Sequence, residues 1–290
     1  MTTDLAAKAA SLSPDERTLL RVFPRRTKAT PVDALVRTGG PDLFGPSEAD
    51  ACHVSCTFSW DLPVAEQLAE AWSRHLPTTL GGPACGTRGE EFDPGVYLRP
   101  GYTITSRGCP NTCWFCNVWR RDGDVRELPI RDGYNVLDDN LLACSETHIR
   151  AVFAMLKRQP RKAEFTGGLE AARLQPWHVD LLADLRPKQM FFAYDDADDL
   201  EPLVQAARLL TGIWPVPTSH VLRCYVLIGY HGDTMQAAEG RLLSTIMAGF
   251  MPMAMLYRDK RGEYDLEWRR FQREWANPTI LGTKCKEATR

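Results

Sequence analysis

The sequence predicts an α/β protein built on a parallel sheet, and three observations support this fold class. Six short apolar runs rich in strand-forming residues follow one another from residue 101 onward. Helical patterns separate most of these runs, and strands that alternate with helices pair in parallel through right-handed crossovers. Polar or glycine-rich residues follow the runs, as they do at the functional edge of parallel barrels. The runs cover residues 102–106, 134–138, 163–166, 190–194, 221–228 and 253–257.

The helices between these runs are predicted from apolar residues that share one helical face. Ser145 is placed to cap the first long helix, and the last begins at Thr234 and ends at Gly249. Residues 101–259 are therefore predicted to be the core of the protein. The predicted apolar faces comprise Ile149, Val152, Phe153 and Leu156; Trp177, Leu181, Leu182 and Leu185; Leu200, Leu203, Val204 and Ala207; and Ala237, Leu242 and Ile246.

Residues 1–100 are predicted to form a small N-terminal α/β extension. Strand-like runs at 51–58 and 78–83 flank a helical pattern at 63–75, which together make one βαβ unit. A two-stranded unit of this kind buries too little apolar surface to be stable alone. We therefore expect it to pack on the core.

Two further helices are predicted outside the core. Residues 13–16 combine an N-cap serine, a proline at the first helical position and a glutamate three residues after the serine, which predicts a short helix through Leu20 and Val22. In the C-terminal segment, 260–290, the stretch 265–276 has helical spacing and is expected to cover an open side of the core. Its apolar face comprises Trp268, Phe271 and Trp275.

Composition limits the class of protein. Hydrophobic residues make up 44% and charged residues 25% of the 290 residues, which is ordinary for a soluble globular chain. A net charge of −2 does not indicate a nucleic-acid-binding surface, although it leaves room for a local basic patch. No apolar run reaches the length of a membrane span, and the N-terminus lacks signal-peptide features. Nine cysteines without an export signal predict a reducing, cytoplasmic location.

The strongest chemical signal is a group of cysteines within eight residues, Cys109, Cys113 and Cys116. Three thiolates this close in sequence can converge on one centre, and thiolates are the ligands of iron–sulfur clusters. Three ligands for four irons would leave one iron open to a small molecule. The alternatives are a zinc site, for which Cys144 and His148 are the nearest further ligands, or three structural cysteines.

This cysteine spacing, with the aromatic residue Phe115 before Cys116, resembles the signature of the radical S-adenosylmethionine (SAM) superfamily. The resemblance implies a partial (β/α)6 barrel and a [4Fe–4S] cluster held by Cys109, Cys113 and Cys116. It implies that the open iron binds the amino and carboxylate groups of SAM, with Phe115 beside the adenine. Reductive cleavage of SAM would give a 5′-deoxyadenosyl radical that abstracts hydrogen from a substrate.

The superfamily also has a Gly-Gly-Glu segment that approaches the SAM amino group, and two segments here compete for that role. In residue identity, the Gly-Gly-Glu segment resembles the segment after the third run, although Leu169 stands where the glutamate is expected. By order along the chain it corresponds to the end of the second run. We expect both segments to face the cavity; a tight turn is the simpler explanation of the glycine pair. The candidate residues are Thr166, Gly167, Gly168 and Glu170 in the first segment, and Asp138 and Asn140 in the second.

Other candidates lie after the later runs. Arg223 lies in a very apolar run and needs an anion, either the SAM carboxylate or an aspartate such as Asp195. Residues 229–234 resemble a Gly-x-Pro-Gly-Glu-Thr turn of cobalamin-type and methylthiotransferase radical SAM enzymes, so Gly229 and Tyr230 are candidates to line the SAM adenine and ribose. A helix N-cap explains the same turn. Asp195 and Asp196 are candidates to orient substrate, and Tyr230 and Tyr257 to relay a hydrogen atom.

Parts of the N-terminal region resemble the end of a cobalamin-binding domain, in a shortened Rossmann-like form. The pattern that carries a cobalt-ligating histidine is missing, so we do not expect bound cobalamin. Cys52 and Cys56 are spaced like the first two cysteines of the motif, with Cys85 downstream. Burial on one strand face explains Cys52 and Cys56 more simply than a second cluster does.

The sequence therefore predicts a cytoplasmic radical SAM enzyme whose substrate it does not identify. The resemblance implies an electron donor such as flavodoxin or ferredoxin. One alternative is a methyl- or methylthio-transferase acting on a nucleobase, which would need a second cluster or cobalamin. The other is a non-catalytic iron–sulfur or zinc protein, against which the polar strand ends argue.

Overall fold

The structure, a computed structural model, describes residues 18–42, 49–89, 91–214, 220–259 and 261–288. The chain divides into two compact units. The first comprises Met1–Tyr102 with Lys260–Gly262, and the second comprises Thr103–Asp259 with Glu263–Arg290. No described helix combines the length and apolarity needed to cross a bilayer.

The first unit is a parallel four-stranded sheet with one described helix. The sheet order is β2-β1-β3-β4, and all three strand pairs are parallel. The predicted βαβ unit is present as β3, α1 and β4. The elements are β1 (Leu19–Phe23), β2 (Val36–Thr38), β3 (Ala51–Ser55), α1 (Leu62–Ser73) and β4 (Thr78–Gly81).

The helix predicted through Leu20 and Val22 is wrong. Both residues lie in β1, which pairs with β2 on one side and β3 on the other, and both are buried. A five-residue apolar run fits a buried strand as well as a helix, so its place between two strands decides its structure. The proposed start of that helix, residues 13–16, lies outside the described part of the chain.

The second unit is organised around a six-stranded sheet with the order β12-β11-β10-β9-β8-β5. Its strands therefore lie side by side in the order in which they occur in sequence. The pairings from β8 through β12 are parallel. The predicted α/β class with parallel sheets is confirmed. The strands are β5 (Tyr102–Thr103), β8 (Asn135–Val136), β9 (Glu164–Phe165), β10 (Gln189–Tyr194), β11 (Leu222–Ile228) and β12 (Met251–Leu256).

The first predicted strand, residues 102–106, is divided in two. After β5 the chain leaves the sheet, and β6 (Ser106–Arg107) pairs with β7 (Arg126–Glu127) in an antiparallel ribbon. The backbone N–H of Thr105, between β5 and β6, donates to the carboxylate of Asp138 at 2.6 Å. The carboxylate accepts the hydrogen bond that the backbone of a neighbouring strand would otherwise accept, so the sheet pairing ends there.

Helices follow most of the sheet strands. Ser145 caps α3 as predicted, since its hydroxyl oxygen accepts a hydrogen bond from the backbone N–H of His148 at 3.2 Å. The core contains Val152 and Phe153 from α3 and Leu242 from α6, packed with apolar residues of the sheet. The helices of this unit are α2 (Val118–Arg121), α3 (Glu146–Lys157), α4 (Pro176–Leu185), α5 (Leu200–Leu210), α6 (Met235–Met247), α7 (Leu266–Ala276) and α8 (Pro278–Ala288).

The predicted C-terminal helix is α7, and it packs on the edge strand β12. Trp275 of α7 is fully buried in the core of the second unit. The side-chain amide of Gln272 donates to the backbone carbonyl of Ala254 in β12 at 3.0 Å. One otherwise free acceptor of the edge strand is thereby satisfied.

The close approach of β9 to the end of β8 generates a stability prediction. A Cβ on Gly167 would lie 2.4 Å from the backbone oxygen of Asp138, and neither backbone segment can easily move. We expect Gly167→Ala to lower the free energy of unfolding by about 1–3 kcal/mol. Urea denaturation followed by circular dichroism measures the change.

Gly240→Ala is the matched control. Gly240 lies in α6 with no atom within 4 Å of an added Cβ, so alanine should stabilise the helix by about 0.5–1 kcal/mol. Equal effects of the two substitutions would contradict the close approach.

Candidate functional site

The three cysteines of the motif lie in one loop between β6 and α2, and all three thiols are free and partly buried. The pKa of Cys113 is raised to about 11, mostly by burial and in part by the neighbouring thiols of Cys116 and Cys109. Burial also raises the pKa of Cys116. The three sulfurs are thus close enough for their thiolates to repel one another. A cationic centre between them would turn that repulsion into attraction.

The cysteine loop is closed by backbone contacts that require glycine. Gly108 has a φ of +89°, and a Cβ there would lie 2.2 Å from the backbone oxygen of Asp124. The N–H of Cys109 donates to the backbone oxygen of Gly123 at 3.0 Å. The first ligand candidate is therefore fixed against the turn that follows α2.

Asp138 joins the end of β8 to the strand that leads into this loop. Its carboxylate is buried and accepts hydrogen bonds from the backbone N–H and hydroxyl of Thr105 and from the hydroxyl of Ser106, at 2.6, 2.5 and 2.8 Å. Burial raises the pKa of Asp138, although these hydrogen bonds oppose the rise. Asp138 therefore positions the loop through the residues that lead into it, Thr105 and Ser106.

Asp139 contacts the loop directly, and its cationic partners were missed by the sequence reasoning. Its carboxylate accepts from the backbone N–H of Gly108 at 3.0 Å and lies 3.6 and 3.8 Å from the guanidinium groups of Arg107 and Arg121. Arg121 also pairs with the buried carboxylate of Asp122 at 2.6 Å. The available signal was the presence of arginines on both sides of the cysteines.

Asn140 brings the two competing segments together. Its side-chain N–H donates to Glu170 at 2.6 Å and to the sulfur of Cys109 at 3.4 Å. The side-chain oxygen of Asn140 is buried and has no hydrogen-bond partner. Glu170 also pairs with Arg173 at 2.6 Å. Beside the first cysteine there is thus one unused acceptor and one carboxylate, both suited to a ligand's N–H groups.

The remaining residues of the glycine segment contact neighbouring strands and strand ends. The hydroxyl of Thr166 donates to the side-chain oxygen of Asn135 at 2.6 Å, and its carbonyl accepts from the hydroxyl of Tyr225 at 3.1 Å. Gly167 meets the backbone of Asp138, while Gly168 has a φ of +104° and open space around its Cα. The glycine pair therefore forms a tight turn, and Glu170 after it reaches Asn140.

Aromatic rings surround the middle of the cysteine loop. Trp114 is 48% exposed, and its ring centroid lies 5.4 Å from those of Phe115 and Tyr230 and 5.7 Å from that of Tyr257. Tyr230 and Tyr257 are thus brought to the cysteine loop. Trp114, which sequence reasoning did not single out, is the residue that joins them.

The turn at Gly229 is closed by its own side chains. The N–H of Gly229 donates to Asp233 at 2.8 Å, and Asp233 pairs with Arg241 at 2.7 Å. Thr234 caps α6, since its hydroxyl oxygen accepts from the N–H of Ala237 at 3.1 Å. The helix-cap explanation of this turn is therefore correct for Thr234, and the turn presents the ring of Tyr230 to Trp114.

Arg223 is the second residue of β11, and it pairs in register with Phe191 of β10. Asp195, the proposed alternative partner, instead accepts from the backbone N–H of Leu227 at 3.0 Å. The positive charge of Arg241 acts to lower the pKa of Asp195. Arg223 forms no ion pair with a described residue, and its buried Nε has no hydrogen-bond partner.

The other candidate ligands each have surroundings of their own. Cys52 and Cys56 are buried in the core of the first unit, as the strand pattern predicted, whereas Cys85 is exposed. His148 contacts the hydroxyl of Thr105 at 3.3 Å. Among the described residues, no group of three or more His, Cys, Asp or Glu side chains is arranged around a single metal ion. A cluster differs from that arrangement, because each thiolate binds a different iron.

Comparison with known proteins adds no family. No family model matches the chain, and no curated protein matches it significantly. The resemblance to radical SAM enzymes is carried by the residues of this chain alone.

Asp195 generates a pH prediction. The pKa of Asp195 is raised to about 7, mostly by burial and in part by the negative charge of Asp199. Because a carboxyl in the unfolded chain has a pKa of about 3.9, the folded chain binds this proton more tightly. The stabilisation is complete below about pH 4 and is lost as the pH rises through about 7. Between these pH values the free energy of unfolding should fall with pH by up to about 1.4 kcal/mol per pH unit more in the parent chain than in Asp195→Asn.

The measurement is urea denaturation of both chains at several pH values. Asp198→Asn, an exposed carboxylate in the same turn, serves as the control and should follow the parent chain. Parallel profiles for Asp195→Asn and the parent would show that Asp195 does not hold a proton in the folded state.

Proposed function

We propose that this chain is a radical SAM enzyme in which Cys109, Cys113 and Cys116 hold one [4Fe–4S] cluster. The observation that carries the proposal is the loop itself, which holds three partly buried thiols, one of which, that of Cys109, contacts the side chain of Asn140 with its unpartnered oxygen. When bound, the cluster and SAM supply reductive cleavage of SAM and abstraction of hydrogen from a substrate. The substrate is unidentified.

The donor set of the loop fits an iron–sulfur cluster. Thiolates are its usual ligands, and their mutual repulsion here is relieved by iron. The backbone N–H of Val118 donates to the sulfur of Cys116 at 3.4 Å, and the side-chain N–H of Asn140 donates to that of Cys109. Hydrogen bonds to ligand sulfurs stabilise their anionic form and tune a cluster's potential.

The residues beside Cys109 fit the amino group of SAM. An ammonium group offers only N–H donors, and the side-chain oxygen of Asn140 and the carboxylate of Glu170 are acceptors. We infer that Asn140 and Glu170 together perform the role of the Gly-Gly-Glu segment. Asp138 supports them from the core without contacting a ligand. Phe115, next to Cys116, is the residue proposed to lie beside the adenine.

The order of the strands supports the proposal of a partial (β/α)6 barrel. Six strands lie in sequence order, and their polar carboxyl ends share one edge with the cysteine loop. In parallel barrels that edge carries the chemistry. The half-exposed Trp114, adjacent to Cys113, offers an apolar contact for an electron donor such as flavodoxin or ferredoxin, and such donors imply a cytoplasmic enzyme.

The first test measures iron. Anaerobically reconstituted chain should bind about four irons, and Cys113→Ala should lose most of them because two thiolates cannot retain a cluster. Electron paramagnetic resonance of the reduced cluster should change on addition of SAM. Cys144→Ala is the control, since Cys144 lies outside the motif loop.

Each other result would identify a rival function. About eight irons would favour the methylthiotransferase alternative. Zinc in place of iron, or a spectrum insensitive to SAM, would favour the non-catalytic alternative and overturn the proposal.

The second test separates SAM binding from cluster binding. Asn140→Leu should weaken SAM binding about tenfold or more, because one acceptor of a charged donor is lost, while the iron content changes little. Equilibrium dialysis with labelled SAM measures the affinity. Gln159→Leu controls for loss of an amide, since Gln159 follows the end of α3 and its side chain donates to Asp132. SAM affinity unchanged in Asn140→Leu would exclude the proposed role.

A further inference from the structure

A row of polar side chains leads from the surface of the second unit to the buried carboxylate of Asp138. Glu127 of β7 begins the row, and its side chain is 40% exposed. His148 of α3 follows, with Nδ1 at 3.7 Å from a carboxylate oxygen of Glu127 and Nε2 at 3.3 Å from the hydroxyl oxygen of Thr105. That hydroxyl is hydrogen-bonded to Asp138 at 2.5 Å. His148, Thr105 and Asp138 are all buried.

Counting the hydrogens of this row shows that it can carry a proton. While Asp138 is ionised, the single hydrogen of the Thr105 hydroxyl is donated to it, so this hydroxyl can only accept from Nε2 of His148. When Asp138 holds a proton, the two hydrogen bonds reverse, and Nδ1 of His148 donates to Glu127 instead. Every group is satisfied in both arrangements, which differ by one proton moved along the row. An imidazole with a polar group at each nitrogen is the usual proton shuttle of proteins.

Asp138 is the group of the row that gains most from a proton. Burial raises the pKa of its carboxyl, although hydrogen bonds to its oxygens oppose the rise. It forms no ion pair with a residue in the described ranges of the chain. Two other titratable groups lie near it. Burial raises the pKa of the Cys144 thiol to about 12, so this thiol stays protonated, and Asp139 lies beside two arginines that favour its charged form.

We propose that His148 relays protons from solvent at Glu127 to Asp138, and that this proton compensates the electron that enters the cysteine loop. Glu127 passes a proton to Nδ1 of His148, and Nε2 passes its own proton to Thr105. The hydroxyl hydrogen of Thr105 moves to Asp138, whose carboxylate becomes a carboxylic acid, while Glu127 regains a proton from water. The electron comes from the one-electron donor. The relay belongs to the chain alone, whereas its coupling to the electron rests on the function proposed above.

Electrostatics favours the coupling of the two charges. Asp138 is hydrogen-bonded to Thr105 and Ser106, the residues that lead into the cysteine loop. An electron added to that loop is repelled by a nearby buried carboxylate, and this repulsion is strong where water is excluded. A proton on Asp138 removes the repulsion.

Deuterium exchange followed by infrared spectroscopy tests the relay on the full chain without iron, at mildly acidic pH. A buried carboxylic acid gives a separate carbonyl band, which shifts when deuterium from the solvent replaces its proton. The band of Asp138 is the one that persists in Asp195→Asn and disappears in Asp138→Asn. We expect it to exchange about tenfold or more slowly in His148→Gln, which offers an N–H to Thr105 but has no second nitrogen to accept a proton.

Glu127→Gln is a second relay variant and should also slow the exchange. His178→Gln removes another buried imidazole of the same unit and should exchange at the parent rate. Equal rates in the parent and both relay variants overturn the proposal, as does the absence of any band that Asp138→Asn removes. If Asp138→Asn does not fold, the band that persists in Asp195→Asn is compared among the other chains.

The reduction potential of the iron-reconstituted chain tests the coupling. We expect the midpoint potential of the parent to fall as the pH rises, because a proton is taken up with the electron, and that of Asp138→Asn to change little with pH. Asp198→Asn, an exposed carboxylate, should keep the slope of the parent. A potential independent of pH in a parent chain that holds iron overturns the coupling. A chain that holds no iron overturns the function proposed above instead, and the exchange experiment still tests the relay.

Discussion

The candidate site depends on the buried carboxylate of Asp138 and its hydrogen bonds to Thr105 and Ser106. These contacts join the end of β8 to the backbone that becomes the cysteine loop. They also end the pairing of β5, because the N–H of Thr105 is directed to a side chain. A polar group this deeply buried is favourable only when its hydrogen bonds are made, so the loop and the strand end are positioned together.

The two residues after Asp138 extend this anchoring to the cysteines. Asp139 holds the N–H of Gly108 and two arginines, and Asn140 contacts Cys109 and Glu170. Three consecutive residues at one strand end thus contact the core, the cysteine loop and, in Asn140, the first cysteine of the motif. The two segments proposed for the SAM amino group are joined by the hydrogen bond between Asn140 and Glu170, so the proposal assigns that role to both.

The sequence was sufficient to predict the parallel strands β8 to β12 and the helices α3 to α7, because alternation and periodicity are local properties. It did not predict the division of the first strand, or β7, α2 and α8. It was insufficient for β1, whose structure is decided by strands β2 and β3 beside it. Likewise, no local pattern shows that Trp114 lies between Tyr230 and Tyr257, more than a hundred residues later. Arg223 was recognised as needing an anion, but only the structure shows that its buried Nε has no hydrogen-bond partner.

The packing of α7 on β12 also bears on how the protein behaves at high concentration. A sheet edge with free carbonyl and N–H groups can recruit a strand from another molecule. Here Gln272 occupies a carbonyl of β12, and the buried Trp275 keeps the helix in place over the edge. The helix therefore acts as a steric and chemical barrier to edge-to-edge aggregation, in addition to completing the core.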